Sequence, residues 1–190
     1  MTYQLAEMIR CEDVIKTEFA VSFTLSLTPG NTQHNRAFLL GMDKPDSYNF
    51  FIHYMRIAQE NGVNADALLL CDLDAMLYSK DGLYPLMTAF WEHPDIDILT
   101  PTWGEAHNDI VQIPGGKTGF ILIREPALRK LTAPLYTLPA EVEVQRIFTD
   151  DDEDFHVLCR QAGLKWLEHG GVACGYFHKA FTEAGVEVPA

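Results

Sequence analysis

Residues 67–77 read Ala67-Leu68-Leu69-Leu70-Cys71-Asp72-Leu73-Asp74-Ala75-Met76-Leu77, an apolar run that stops abruptly at two aspartates around one leucine. The run is too short for a helix and reads as a buried strand, in a sheet covered on both faces. Ligands of open α/β sheets bind outside the carboxyl ends of the strands. Strand side chains alternate between faces, so Asp72 and Asp74 share one side at the position where a site would form. Two carboxylates this close repel unless a cation lies between them, and a divalent metal with oxygen ligands meets that need.

On either side of this strand, periodicity and turn signals predict an alternation of elements. Residues 2–16 read as a short helix, and 19–27 as a strand rich in β-formers that ends at Thr28-Pro29-Gly30-Asn31. Helices are expected over 33–40 and over 47–61, the second with Phe51, Tyr54, Met55 and Ala58 at helical spacing and a stop before Gly62. After the aspartates come a helix over 82–92, a strand over 96–100, a loop at Pro114-Gly115-Gly116 and a strand over 118–123. A helix over 126–131 has Pro126 at a favourable early position. An amphipathic helix over 154–162 ends at Gly163, and two late strands cover 164–167 and 172–177. Strands alternating with helices predict one α/β domain, a central mixed, mostly parallel, Rossmann-like sheet flanked by helices.

A chain of 190 residues suits a single domain with a sizeable core. Its 47% hydrophobic and 22% charged content is that of a soluble globular protein. With no long apolar stretch and no signal-peptide pattern, the expected location is cytoplasmic. Cys11, Cys71, Cys159 and Cys174 contain no Cys-x-x-Cys pair, which argues against structural zinc and a disulfide framework. The net charge of −13 includes the unbroken run Asp150-Asp151-Asp152-Glu153-Asp154, and such a surface repels nucleic-acid phosphates.

The order of these motifs resembles nucleotide-sugar glycosyltransferases of the GT-A fold, in particular the family-2-like group. Asp72-Leu73-Asp74 matches the family's Asp-x-Asp at the end of a buried strand. Gly115-Gly116-Lys117-Thr118-Gly119-Phe120 through Arg124 resembles its acceptor-side loop, strand and Arg. Glu153-Asp154-Phe155 with Arg160 and Gly163 resembles its Glu-Asp helix, and Gly175-Tyr176-Phe177-His178 its late strand ending in His. The likeness covers about 64–179. Residues 19–31, ending at Asn31, stand for the first nucleotide-binding strand, and no second such strand is evident before Ala65, so the nucleotide half reads as abbreviated.

The resemblance implies a single domain over 1–190, with a nucleotide-binding part near 19–75 and an acceptor and catalytic part near 95–179. It implies a metal-dependent transferase moving a sugar from a nucleoside-diphosphate sugar, UDP-sugar favoured, to a hydroxyl of a saccharide or similar acceptor. Asp74 and His178, with Asp72 nearby, would hold Mn²⁺ or Mg²⁺ against the diphosphate, whose departing charge the metal offsets. Asp154 would serve as general base, with Glu153 as second choice. Asn31, Arg56 and Gly116 are further donor-binding candidates, and Arg36 and Lys117 are cations within the same class. Trp103 is a candidate for stacking a sugar, whereas Trp91 reads as core or rim packing. His34, His53, His93, His107, His156 and His169 have no such motif around them.

Two other functions fit parts of the pattern. A haloacid-dehalogenase-like phosphatase would use Asp72 as nucleophile, but Ala75-Met76 stands where Gly-Thr would follow the second Asp. A non-catalytic nucleotide- or sugar-binding domain would have little reason to keep clustered carboxylates without a cation. A nucleic-acid acceptor, such as a hydroxymethylated base, is disfavoured by the charge.

Overall fold

A computed structural model of the chain describes residues 2–11, 32–40, 65–72, 75–78, 83–108, 110–112, 117–136 and 152–176. In chain order the elements are β1 (Tyr3–Cys11), β2 (Thr32–Leu40), β3 (Ala67–Asp72), β4 (Ala75–Leu77), α1 (Tyr84–Glu92), β5 (Ile98–Trp103), β6 (Ile110–Gln112), β7 (Phe120–Arg124), α2 (Glu125–Tyr136), α3 (Asp152–Gln161) and β8 (Trp166–Tyr176). All the described strands join one sheet in the order β2-β1-β3-β7-β5-β8-β4, with β6 also paired to β8. Strands β1, β2, β3, β5 and β8 run one way and β4, β6 and β7 the other. The sheet is therefore mixed and mostly parallel, as the sequence predicts.

The apolar run forms β3, buried along its whole length between β1 and β7. Its alternation divides the core into two layers. Ala67, Leu69 and Cys71 pack with Leu86, Phe90 and Trp91 of α1. Leu68 and Leu70 pack on the opposite face with Ala127 and Leu128 of α2 and Phe155 and Cys159 of α3. A fully buried leucine contributes roughly 2 kcal/mol, so this strand anchors both layers.

Three sequence readings are corrected. Where the structure describes the helices expected over 2–16 and 33–40, it shows strands: β1 and β2 pair in parallel from Tyr3↔Thr32 to Cys11↔Leu40. Leu5, Ala6, Glu7 and Met8 are good helix formers, but pairing of β1 on both edges, to β2 and β3, outweighs that weak preference. Among the described residues, two parallel strands thus precede β3. The two late strands are one, β8, whose register with β5 jumps from Pro101↔His169 to Thr102↔Ala173. Gly170 and Gly171 lie in that bulge and interrupt the apolar pattern that a strand would show. The strand expected over 19–27, the helix over 47–61 and the loop at Pro114-Gly115-Gly116 lie outside the described residues.

Other expectations hold. α1 lies within the expected 82–92, and α2 has Pro126 as its second residue. α3 ends at Gly163, whose φ of 67° is left-handed, and Leu164 N–H closes back on the Cys159 carbonyl at 3.0 Å. Trp91 is a core residue: its ring stacks on Tyr3 at 4.2 Å, and its indole N–H donates to Thr32 Oγ1 at 3.1 Å, tying α1 to β1 and β2. No helix among the described residues is long and apolar enough to cross a membrane.

Arg124, at the end of β7, closes the other end of α1. Its guanidinium donates to the carbonyls of Ile96 at 2.6 Å, His93 at 3.0 Å and Phe90, and lies over the Phe90 ring at 4.3 Å. These carbonyls belong to the orphaned C-terminus of α1 and the turn after it, where a cation also opposes the helix dipole. Arg124→Ala should lower the unfolding free energy by roughly 3 kcal/mol in urea denaturation, because charged hydrogen bonds are lost and carbonyls left unpaired. Arg124→Lys should recover less than half, since an ammonium cannot reproduce the planar fork.

Candidate active site

The carboxyl ends of β3, β5 and β8 lie together, and the start of antiparallel β7 joins them. Asp72, the last residue of β3, is 3% exposed. Its N–H donates to the Gly119 carbonyl at 2.8 Å, which ties the end of β3 to the segment entering β7. By alternation with Leu68 and Leu70, Asp72 stands on the sheet face that α2 and α3 cover.

α3 brings its first turn toward the same end. β8 runs parallel to β5, so its first residue lies at the opposite end of the sheet. α3 feeds β8 through only four residues, 162–165, which puts its C-terminus there and its N-terminus on the Asp72 side. Phe155 and Cys159 fasten the helix to the sheet, and Phe155 meets Trp166 edge-on at 5.3 Å while His156 stacks on the same indole at 4.0 Å. Glu153 and Asp154 lie in this first turn; their side chains are outside the described residues.

β4 follows Asp72 after two residues and pairs with the end of β8, Ala75 opposite Tyr176 and Leu77 opposite Cys174. Gly175 matters here: a Cβ on it would lie 2.0 Å from the Tyr78 hydroxyl, so the missing side chain lets that ring lie across the strand pair. Leu73, Asp74, Asn31, Arg56, Gly116 and His178 lie outside the described residues. Among the described residues, no three His, Cys, Asp or Glu side chains form a group that could hold a metal ion.

Lys117 and Trp103 come together on the other face, where the Lys117 ammonium sits 5.3 Å from the indole centroid and Trp103 packs against the α1 layer. Arg36 pairs in register with Glu7 on β1. Arg124, matched to a family motif from sequence, belongs to the opposite end of the sheet and caps α1. A groove of about 690 Å³ lined by Tyr84, Thr88, Glu92, His93 and His169 lies on the α1 face, away from Asp72. His169 there has its pKa lowered by burial.

Two residues that sequence reasoning passed over stand on the Asp72 face. The Thr102 hydroxyl donates to Glu168 Oε1, and His107 Nε2 lies 3.7 Å from the same oxygen. The His107 backbone N–H donates to the Gly170 carbonyl at 2.7 Å, which fastens the loop after β5 to β8. No motif surrounds Glu168 in sequence; its only signal is an acid within a strand that is apolar at Trp166-Leu167 and Val172-Ala173-Cys174.

No protein-family model matches the sequence, and no curated protein matches it. Solved structures do. A197 from STIV is similar over 92% of this chain and 85% of its own, with a TM-score of 0.57 and 10% identity. A Drosophila β-1,4-galactosyltransferase 7 mutant, in complex with manganese, UDP-Gal and xylobiose, is similar over 88% of this chain, with a TM-score of 0.56 and 14% identity. A mannosyltransferase from Pyrobaculum calidifontis, in complex with GDP-Man and Mn²⁺, is similar over 97% of this chain, with a TM-score of 0.57 and 11% identity. The match spans 65% and 61% of the two transferases. The fold is GT-A-like, as the motif order implies.

Burial pushes the Cys159 thiol up to about 12 from 9.0, with Asp97 adding to the effect. Cys174, beside the β4 pairing, is also raised, first by burial and then by Glu168, against an opposing pull from Lys117. A thiol raised in this way contributes stability below its unfolded pKa, and that contribution is lost as pH climbs toward the folded value. The melting temperature should therefore fall between pH 9.0 and about 12, and Cys159→Ala should flatten that fall. Mass-spectrometric mapping at about pH 8 should find both thiols unlabelled by iodoacetamide in the native protein and labelled in urea.

Proposed function

We propose that the protein is a metal-dependent glycosyltransferase that moves a sugar from a nucleoside-diphosphate sugar to a hydroxyl acceptor. The observation that carries this reading is the position of Asp72: a buried carboxylate at the carboxyl end of the central strand, on the face toward which α3 brings Glu153 and Asp154. The GT-A-like fold supports it. In this reading the single domain has a nucleotide-binding part near 19–75, to which β1 adds a strand, and an acceptor and catalytic part near 95–179.

Asp74 and His178, with Asp72, would hold Mn²⁺ or Mg²⁺. Chain connectivity favours the grouping, because Ala75 pairs with Tyr176, so Asp74 adjoins one member of that pair and His178 follows the other by two residues. A carboxylate-imidazole set suits Mn²⁺ better than Mg²⁺. The metal would offset the negative charge that develops on the departing diphosphate. Asn31, Arg56 and Gly116 are the remaining donor contacts of this proposal. Asp154 takes the proton of the attacking hydroxyl, with Glu153 as the alternative base.

A melting-temperature screen of UDP and GDP with and without Mn²⁺ tests the donor site. A ligand that binds only the folded state adds about 2.7 kcal/mol at a hundredfold excess over Kd, so a clear metal-dependent rise is expected, largest for UDP. Asp74→Ala should abolish the rise and His178→Ala should weaken it. No rise with any nucleoside diphosphate would remove the reading, and hydrolysis of p-nitrophenyl phosphate that depends on Asp72 would favour the phosphatase.

Asp154→Asn preserves shape but not proton acceptance. Turnover should drop by roughly 10²–10⁴-fold while the UDP-induced melting shift persists. Full activity in this variant would transfer the base role to Glu153.

A further inference from the structure

Glu168 is a half-hidden carboxylate on an interior strand, its side chain 15% exposed, with β5 on one side and β6 on the other. Both of its contacts use one atom: the Thr102 hydroxyl donates to Oε1, and His107 Nε2 faces Oε1 at 3.7 Å. Thr102 is 6% exposed, so the pinning hydroxyl has little freedom to turn elsewhere. The second oxygen, Oε2, takes part in neither contact, and the bond from Thr102 to Oε1 fixes where it lies.

Alternation places this group on the same face as Asp72. Trp166, two residues before Glu168, belongs to the layer of Leu68, Leu70 and Phe155, and its indole N–H donates to Thr100 Oγ1, two residues before Thr102. Between β3 and β5 stands only β7, and its approach at the Asp72 end is Gly119, which carries no side chain on that face.

We infer that Glu168 Oε2 is a specificity-determining contact for the acceptor, accepting a hydrogen bond from a hydroxyl of a neutral, hydroxyl-rich molecule such as a pyranoside. The inference rests on the transferase reading and names its acceptor class. A fixed carboxylate accepts from hydroxyl donors and repels phosphates and carboxylates, and the chain's net charge of −13 adds to the repulsion. Its Oε1 contacts hold the group in position before the ligand arrives, so little ordering is required on binding.

Glu168→Gln is the discriminating variant. An amide keeps the Oε1 bond with Thr102 and the shape of the side chain, but it puts an NH₂ donor where Oε2 accepted. Nucleoside-diphosphate release with Mn²⁺ is measured with water alone, with methyl glycosides of glucose, galactose, mannose and N-acetylglucosamine, and with glucose 1-phosphate. The wild type should use a methyl glycoside in preference to the sugar phosphate. In Glu168→Gln the KM for that glycoside should rise about tenfold, with kcat, donor KM, release to water and melting temperature each within about twofold or a degree or two of wild type.

An unchanged glycoside KM, or preference of the wild type for glucose 1-phosphate, overturns the inference. Loss of donor hydrolysis together with a lowered melting temperature also overturns it, because Glu168 is then only structural. A Mn²⁺-dependent melting shift with UDP or GDP in the wild type keeps the transferase reading standing whatever Glu168 does. Its absence with every nucleoside diphosphate fells that reading, and the acceptor contact with it.

Discussion

The antiparallel pairing of β3 with β7 is the constraint on which the rest of the molecule depends. On one side β3 continues into the parallel set β1 and β2, and on the other β7 carries the sheet to β5, β8 and the short strands. The ladder runs from Ala67↔Arg124 to Cys71↔Phe120, and the Asp72 N–H extends it to Gly119. Because β3 is buried on both faces, a slip of one residue would exchange the two core layers and carry Asp72 to the α1 side. The position of the candidate site is thus set by the same side chains that make the core.

The two faces of the sheet divide the work. The α1 face is built for cohesion: Trp91 reaches β1 and β2, and Arg124 gathers the last carbonyls of α1. Desolvation lowers the Arg124 pKa, with Tyr3, Asp97, Asp95 and Asp66 opposing that fall, so the guanidinium remains the cation its helix end needs. The α2 and α3 face instead collects polar groups at one end, Asp72, Thr102 and Glu168, above an apolar layer that keeps them in register.

Much of this was legible in the sequence where burial and period agree. The run at β3, the helical spacing of α1 and the Gly163 stop of α3 each report one physical cause, and each appears where expected, within a few residues. β1 was not legible, because Leu5, Ala6, Glu7 and Met8 favour a helix until two neighbouring strands claim their backbone. β8 was read as two strands because the Gly170-Gly171 bulge breaks the pattern while leaving the strand continuous. For the site, Asp72 could be found from its place after an apolar run. Glu168 could not, since its meaning comes from Thr102 and His107, 66 and 61 positions away in the chain (168 − 102 and 168 − 107). Arg124 was matched only to a motif, and its role as a helix cap comes from its surroundings.

Charge connects the fold to the proposed chemistry. Asp72 and the acidic first turn of α3 converge on one end of a chain whose net charge is −13. The N-terminal dipole of α3 favours a negative group by only about 0.3–1 kcal/mol, which one carboxylate already uses. A diphosphate approaching this end therefore meets like charge from both the strand and the helix. A divalent cation reverses the local field and also supplies the oxygen-seeking centre that carboxylate and phosphate share. Under the transferase reading, the acids that make the apo surface repulsive are the ones that make donor binding conditional on metal, so a donor is held only where the ion that assists its departure is also present.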